Sequence, residues 1–203
     1  MTDLCESLAA AGHELAIFFV SYSLTPHARY PTQLKQCVEA LRYILTTANV
    51  PPAHVYLGGD SAGANVALAV VLHLSDHAHP AIVADDAAHN EKRPQPLVED
   101  DQHLGGIFCL GPWVSFDFDR LSERENRERD CLSKKSERAW AARYLDSRNG
   151  DPWSEPALAP AEWWADARVR EFLILTGSDE ILLNGIEDFA EKVQVSSFFF
   201  YLF

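Results

Sequence analysis

Ser61 stands where a serine can act as a nucleophile. It is the centre of Gly59-Asp60-Ser61-Ala62-Gly63, which follows the short apolar run 54–58 and precedes the helix-forming run 65–72. A G-x-S-x-G turn between a strand and a helix is so tight that only glycines fit beside it, and it pushes the serine Oγ out at the end of the sheet. The helix behind it would direct free N–H groups at a developing oxyanion. The spacing predicts nucleophilic serine chemistry; the alternative is a turn that serves only helix–strand packing.

The elements that must position this serine are read from the apolar pattern. Strands are predicted at residues 14–21, 54–58, 105–110 and 172–176, and helices at 4–12, 31–45, 62–74, 135–145 and 184–195. Residues 75–103 contain few large apolar side chains, so we expect a long flexible loop there. Strands that alternate with helices predict an α/β fold with a mostly parallel sheet.

Composition narrows the classes of function. The chain has 203 residues, enough for one domain, and a net charge of −13, which disfavours binding to nucleic acid or to an anionic membrane. The four cysteines are dispersed without a C-x-x-C pair, so neither a disulfide framework nor a zinc site is expected. The apolar runs are too short to span a bilayer, and no cleavable signal is recognised, which makes a cytoplasmic location the default expectation.

Several segments together resemble one known family. They are Gly59-Asp60-Ser61-Ala62-Gly63-Ala64-Asn65, Tyr22-Ser23-Leu24-Thr25-Pro26, Gly111-Pro112-Trp113 and Thr176-Gly177-Ser178-Asp179-Glu180-Ile181. From about residue 15 to 194 the chain resembles the hormone-sensitive-lipase-like branch of the α/β-hydrolase superfamily (α/β-hydrolase fold-3). Ser21 and Ser23 depart from the family's D-Y-R-L-A-P segment, and Pro160-Ala161-Glu162-Trp163-Trp164 is similar to a fungal subgroup.

The resemblance implies a serine carboxylic-ester hydrolase that acts on small or medium esters through an acyl-enzyme, without metal or organic cofactor. Ser61 matches the nucleophile and the Ala62 N–H matches one oxyanion donor. Asp179 matches the acid that orients the catalytic histidine, with Glu180 as the second candidate. Gly59, Asp60 and Gly63 complete the elbow. Oligomeric state is not indicated by the sequence.

The same resemblance implies an incomplete α/β-hydrolase domain over residues 1–203. Its mostly parallel sheet would carry helices on both faces and would lack strands before residue 14 and after residue 195. Residues 112–170 would form the cap or lid side. The uncharged aromatic tail 196–203 is atypical for the family.

The catalytic histidine of the family follows the acid in the sequence, and this chain has no histidine after Asp179. All eight histidines, at 13, 27, 54, 73, 77, 79, 89 and 103, precede Asp179, and no H-G-G-G oxyanion loop is found before Tyr22. Because the triad histidine removes the serine proton, we expect this chain to be nearly inert as an esterase. The alternatives are a truncated gene product and a non-catalytic hydrolase-like protein that binds a ligand through its pocket.

Other residues admit both a functional and a structural interpretation. His73 and His77 are four apart and could share a helix face, but no third metal ligand is placed. Trp113, Phe116 and Phe118 could face a substrate or pack in the core. Trp163 and Trp164 favour a structural role. The charged run 122–130 is interpreted as a solvated face or loop.

Overall fold

A computed structural model describes residues 2–89, 96–196 and 200–202. Among them, four parallel strands form one sheet in the order β1-β2-β3-β4: β1 Tyr56–Asp60, β2 Gly106–Leu110, β3 Phe172–Leu175 and β4 Phe200–Leu202. The first three confirm, within one or two residues, the strands predicted at 54–58, 105–110 and 172–176. Short apolar runs bounded by turn residues are a sufficient signal for strands of this kind.

The helices follow in chain order. They are α1 Thr2–Ala10, α2 Thr32–Arg42, α3 Ala62–Leu74, α4 Pro80–His89, α5 Leu121–Glu125, α6 Lys134–Leu145, α7 Ala161–Ala165 and α8 Leu183–Ser196, with a π-helical turn at Tyr43–Thr47 after α2. The predicted helices at 4–12, 31–45, 62–74, 135–145 and 184–195 are therefore confirmed. In the described part of the chain, no helix is both long and apolar enough to cross a membrane.

The sheet is covered on one face. Ile107 and Cys109 of β2 and Phe172 and Ile174 of β3 alternate along their strands and are all buried in one core with α3 and α8. On the opposite face of β2, Phe108 and Leu110 are 41% and 38% exposed. The expectation of helices on both faces is thus met on one face only, since no described helix buries these two side chains.

The strand predicted at residues 14–21 is wrong. This segment has no regular secondary structure, and its large apolar side chains are exposed, Phe19 to 70% and Phe18 to 55%. An apolar, β-branched run becomes a strand only when a neighbour accepts its backbone hydrogen bonds. No described strand pairs with it, because the sheet begins at β1.

A strand after residue 195 was not expected, and β4 corrects this. It pairs with β3 in parallel, with Phe172 opposite Phe200 and Ile174 opposite Leu202. The aromatic tail has high β propensity, and β3 offers a free edge with unpaired backbone groups, so the tail adds a strand there. Residues 197–199 and 203 of that tail lie outside the described residues.

The stretch 75–103 is not the continuous loop that was predicted. It contains α4, in which Ile82 is 3% exposed, and ion pairs tie this helix to α2: Lys35 with Asp85 and Arg42 with Asp86 at 2.5 and 2.8 Å. This helix has no continuous apolar stripe, which is the usual sign of a helix in a sequence; Ile82 and the two ion pairs attach it instead. Residues 90–95 lie outside the described part.

Candidate active site

Ser61 has an unusual backbone conformation at the junction of β1 and α3. Its φ is 52° and its ψ is −114°, a region that a residue with a Cβ rarely adopts. Three backbone hydrogen bonds hold it: its N–H donates to Leu110 O at 2.8 Å, and its carbonyl accepts from Asn65 N at 3.1 Å and Trp113 N at 3.3 Å. Strain of this kind persists only where the surroundings enforce it, and it is concentrated at functional sites.

Glycine makes this turn possible. A Cβ built on Gly59 would lie 2.3 Å from the carbonyl carbon of Gly63 and 2.4 Å from Ala64 N, so the end of β1 touches the first turn of α3 directly. A Cβ on Gly63 would meet only Tyr22 Oη, at 3.9 Å. The first glycine of the motif is therefore required by contact, and the second is not.

The start of α3 creates a positive electrostatic potential next to Ser61. The Ser61 side chain does not cap the helix, so its hydroxyl is not engaged by the free N–H groups of the first turn. The first helical residue is Ala62, whose N–H belongs to the set that has no partner within the helix. These donors and the helix dipole favour negative charge next to Ser61. Asp60, the last residue of β1, is exposed.

A cavity of about 240 Å³ opens beside Ser61. Its walls come from the segment 22–25 with α2, from the start of α3, from the segment after β2, and from α6. The lining residues are Tyr22, Ser23, Leu24, Thr25, Gln33, Ser61, Ala62, Asn65, Val66, Trp113, Phe116, Trp140 and Tyr144. Trp113 and Phe116 thus face the cavity, whereas Phe118 lies under the Arg138 guanidinium, 5.6 Å from its carbon.

The two candidate acids have different surroundings in the turn after β3. Asp179 is exposed and pairs with Arg129 at 3.2 Å. Glu180 points back towards the sheet: its Oε1 accepts from Gly177 N at 2.8 Å, and its Oε2 lies 2.9 Å from the position of a Cβ on Gly111, the residue that follows β2. The Glu180 carboxylate therefore sits at the carboxyl end of the sheet, between β2 and β3.

The segment 122–130 holds this turn in place. The Ser122 hydroxyl donates to Ile181 O at 2.7 Å, the Asn126 amide donates to Ser178 O and Glu180 O at 3.0 and 2.9 Å, and Asp130 accepts from Ile181 N at 2.7 Å. Ser122 and Asn126 are 3% and 5% exposed. The interpretation of 122–130 as a solvated face or loop is therefore wrong for Ser122 and Asn126, which are buried. The overlooked signal is the spacing of small polar residues at i, i+4 and i+8 within a charged run.

The cavity is not lined by any histidine whose side chain the structure describes. His79 Nε2 is 2.8 Å from Tyr30 Oη, whose hydroxyl donates to the Asp151 carboxylate, and burial lowers the pKa of His79. His73 Nδ1 accepts from His79 N, and burial lowers its pKa to about 4.

His77 stacks on Trp163 with ring centroids 4.0 Å apart. Trp164 is 1% exposed and packs edge-on against Phe172 and Phe189, so the structural interpretation of this tryptophan pair is confirmed. Among the described residues, no three histidine, cysteine or carboxylate side chains come together as a metal site. The four cysteines are free thiols.

A serine held at positive φ between a strand and a helix, beside a cavity, defines the class of proteins that carry a nucleophile elbow. The sequence profile described as "alpha/beta hydrolase fold" matches residues 1–197, and the chain belongs to this family. The expected α/β fold with a parallel sheet is thereby confirmed.

The relatives of this chain include an esterase and an acetyl-hydrolase. The chain is 26% identical over 197 residues to an esterase of Acinetobacter venetianus, covering 96% of this chain and 54% of the relative. It is 27% identical over 168 residues to an acetyl-hydrolase of Streptomyces hygroscopicus, covering 82% and 47%. The crystal structure of carboxyl esterase 2 from Tuber melanosporum superimposes with a TM-score of 0.71 at 22% identity, covering 96% of this chain and 58% of that one. The chain spans about half the length of the curated relatives it matches.

Proposed function

We propose that this chain carries the nucleophile, one oxyanion donor and the acid of a serine carboxylic-ester hydrolase. The observation that carries the proposal is the backbone of Ser61, φ 52° and ψ −114°, at the mouth of the 240 Å³ cavity. Family membership and relatives described as esterases support the same chemistry.

In the proposed reaction the Ser61 Oγ attacks the ester carbonyl carbon while a base takes its proton. The Ala62 N–H donates to the oxyanion of the tetrahedral intermediate, which collapses when the alkoxide leaves with a proton from the base. Water then attacks the acyl-enzyme in the same way and releases the carboxylic acid. Every proton transfer needs the base, and no described histidine lines the cavity. We therefore expect the 203-residue chain to turn over esters several orders of magnitude more slowly than an intact triad would.

We propose Glu180, rather than Asp179, as the acid. A triad acid must face the histidine ring across the carboxyl end of the sheet and hold it in one tautomer. Glu180 is directed to that edge, next to Gly111, where it accepts from Gly177 N, whereas Asp179 is exposed and pairs with Arg129. The hydrogen bonds from Asn126 to both ends of the turn fix the main chain of the acid.

Fluorophosphonate labelling with added imidazole tests the proposal. Free imidazole can enter the open cavity and take the Ser61 proton, so we expect it to raise the labelling rate by about tenfold or more, within the range of general-base catalysis. Ser61→Ala should abolish the increase. Ser7→Ala, at an exposed serine of α1, is the matched control and should label like the unchanged chain. Imidazole-dependent labelling that persists in Ser61→Ala would refute the assignment.

The same assay separates the two acids. Glu180→Gln should remove most of the imidazole effect, because the carboxylate that orients the ring is lost, and Asp179→Asn should leave it within about twofold. The reverse order would assign the role to Asp179.

A second candidate is a non-catalytic hydrolase-like protein that binds a neutral ligand. It is favoured by a formed cavity that no described histidine lines. This candidate predicts saturable ligand binding with no imidazole-dependent labelling of Ser61, so the two functions are distinguished by one measurement.

A further inference from the structure

The wall of the cavity beside Ser61 is aromatic and uncharged. Tyr22, Trp113, Phe116, Trp140 and Tyr144 line it, and none of the lining side chains is ionised at neutral pH. We propose that this cavity takes a neutral, planar aromatic group of the ester, on the alcohol or the acyl side. The identification of the ligand as an ester rests on the proposed function. The binding of an aromatic ring in this cavity does not depend on it.

The arrangement of the rings favours a flat guest. Trp113 and Phe116 are edge-to-face with centroids 5.0 Å apart, Trp113 and Trp140 likewise at 6.4 Å, and Phe116 and Tyr144 at 6.4 Å with an interplanar angle of 86°. Trp140, Trp113, Phe116 and Tyr144 are therefore linked by three edge-to-face contacts in the cavity wall, and we call these four rings the aromatic box. An aromatic guest beside them can make further edge-to-face or offset-stacked contacts, which are the arrangements that aromatic pairs prefer.

Side-chain amides hold the backbone on both sides of the box. Asn65 is 3% exposed and donates to Trp113 O at 2.8 Å and to Ser154 O at 2.9 Å, which fixes the main chain of Trp113 relative to Ser61. On the opposite wall, Gln33 donates to Ser23 O at 2.9 Å, and the Gln36 amide pairs with Ser23 through both its oxygen and its nitrogen. A site formed before the ligand arrives loses little conformational entropy on binding.

Size and position fit a substrate with one ring. A cavity of roughly 150 Å³ is enough to hold benzene, and this one measures about 240 Å³. Ser61 and Ala62 belong to the wall of the same cavity. One ligand can therefore place its ring in the aromatic box and its ester carbonyl at Ser61.

An aromatic box can also attract a cation through the ring faces. Here three of the ring pairs are tilted edge-to-face, and no carboxylate lines the cavity to pair with a positive charge. The arrangement favours a neutral ring over a quaternary ammonium group, and the test includes both.

Binding of unreactive ketones to Ser61→Ala tests the inference without any turnover. The ligands are benzylacetone, which is benzyl acetate with a methylene in place of the ester oxygen, its cyclohexyl analogue and a methyl ketone that carries a trimethylammonium group. We expect benzylacetone to bind about fivefold or more tightly than either of the others, by titration calorimetry, from the extra ring–ring contacts. Equal or tighter binding of the cyclohexyl or the cationic ketone would overturn the proposal.

Variants of Trp140 connect the preference to the box. This side chain is 43% exposed on α6, so its replacement should not compromise folding. Trp140→Leu should reduce the preference for benzylacetone to less than about twofold, and Trp140→Phe should restore most of it. Tyr43→Leu, at an aromatic residue that is 50% exposed and outside the cavity, is the control and should have no effect. A preference unchanged in Trp140→Leu would contradict the role of the box.

The two proposals fail in different ways. Ring preference without imidazole-dependent labelling of Ser61 would retain the aromatic site and refute the hydrolase function. Labelling without ring preference would retain the hydrolase function and refute the aromatic site.

Discussion

The contact between β1 and α3 predicts that Gly59→Ala and Gly63→Ala differ strongly in their effect on stability, although both lie in the motif around Ser61. In Gly59→Ala, the new Cβ would lie 2.3 to 2.4 Å from the carbonyl carbon and oxygen of Gly63 and from Ala64 N. Ordinary contacts of this kind are about 3.4 to 4 Å, so the first turn of α3 must move by about 1 Å. All three atoms are backbone, and no side-chain rotation can relieve the clash.

The free-energy cost of Gly59→Ala follows from the need to move α3 away from β1. Overpacking in a close-packed region typically costs about 1–3 kcal/mol, and we expect the upper end because α3 also moves against the backbone hydrogen bonds that hold Ser61. For a domain of this size, each kcal/mol lowers the melting temperature by roughly 2–4 °C, so the expected decrease is about 6–12 °C.

Gly63→Ala is the matched control. Its Cβ would meet only Tyr22 Oη at 3.9 Å, an ordinary contact, and Gly63 lies within α3, where alanine is favoured over glycine by up to about 1 kcal/mol. We expect unchanged or slightly higher stability. Urea unfolding followed by circular dichroism measures both variants. A Gly59→Ala chain within about 0.5 kcal/mol of the parent, or equal losses in both variants, would show that the elbow is not packed as described.

Two further predictions concern buried polar groups. Burial and the neighbouring Glu123 carboxyl raise the pKa of Glu137, which is 1% exposed. The folded state therefore keeps a proton that the unfolded chain releases, and stability falls as the pH rises above the unfolded pKa. Glu137→Gln should unfold at higher urea than the parent at about pH 8 and at similar urea at about pH 5; parallel pH profiles would contradict the shift. Asn126→Ala should lower the free energy of unfolding by about 1–3 kcal/mol, since the carbonyls of Ser178 and Glu180 in the turn after β3 lose their donor. Asn149→Ala, at an exposed position, should change it by less than about 0.5 kcal/mol, and equal losses would indicate that the turn is held by other contacts.

The sequence predicted those parts of the fold whose signals are local. The strands β1, β2 and β3 are short apolar runs bounded by turn residues, and α2, α3, α6 and α8 carry either an apolar stripe or a continuous apolar run. The motif around Ser61 could be recognised because the residue two positions before the serine, Gly59, has no room for a Cβ against the first turn of α3.

Elements that depend on a distant partner were predicted poorly. Residues 14–21 have the composition of a strand, but no described strand pairs with them. The helix α4 has only two large apolar side chains, Ile82 and Val83, and two ion pairs join it to residues of α2 that lie 50 and 44 positions away in sequence. Neither the lack of a pairing partner nor a long-range ion pair can be read from composition.

By itself, the sequence determined the strand, the tight glycine turn and the helix around Ser61, because their signals lie in neighbouring residues, and from these it predicted the class of chemistry. Only the tertiary structure distinguished the surroundings of Asp179 from those of Glu180, which are adjacent in the chain but point to an exposed arginine and to the edge of the sheet, respectively. Only the tertiary structure brought Tyr22, Trp113 and Trp140 into one cavity. The physical reason is that side-chain direction and the meeting of distant segments are set by packing, which local propensity does not contain.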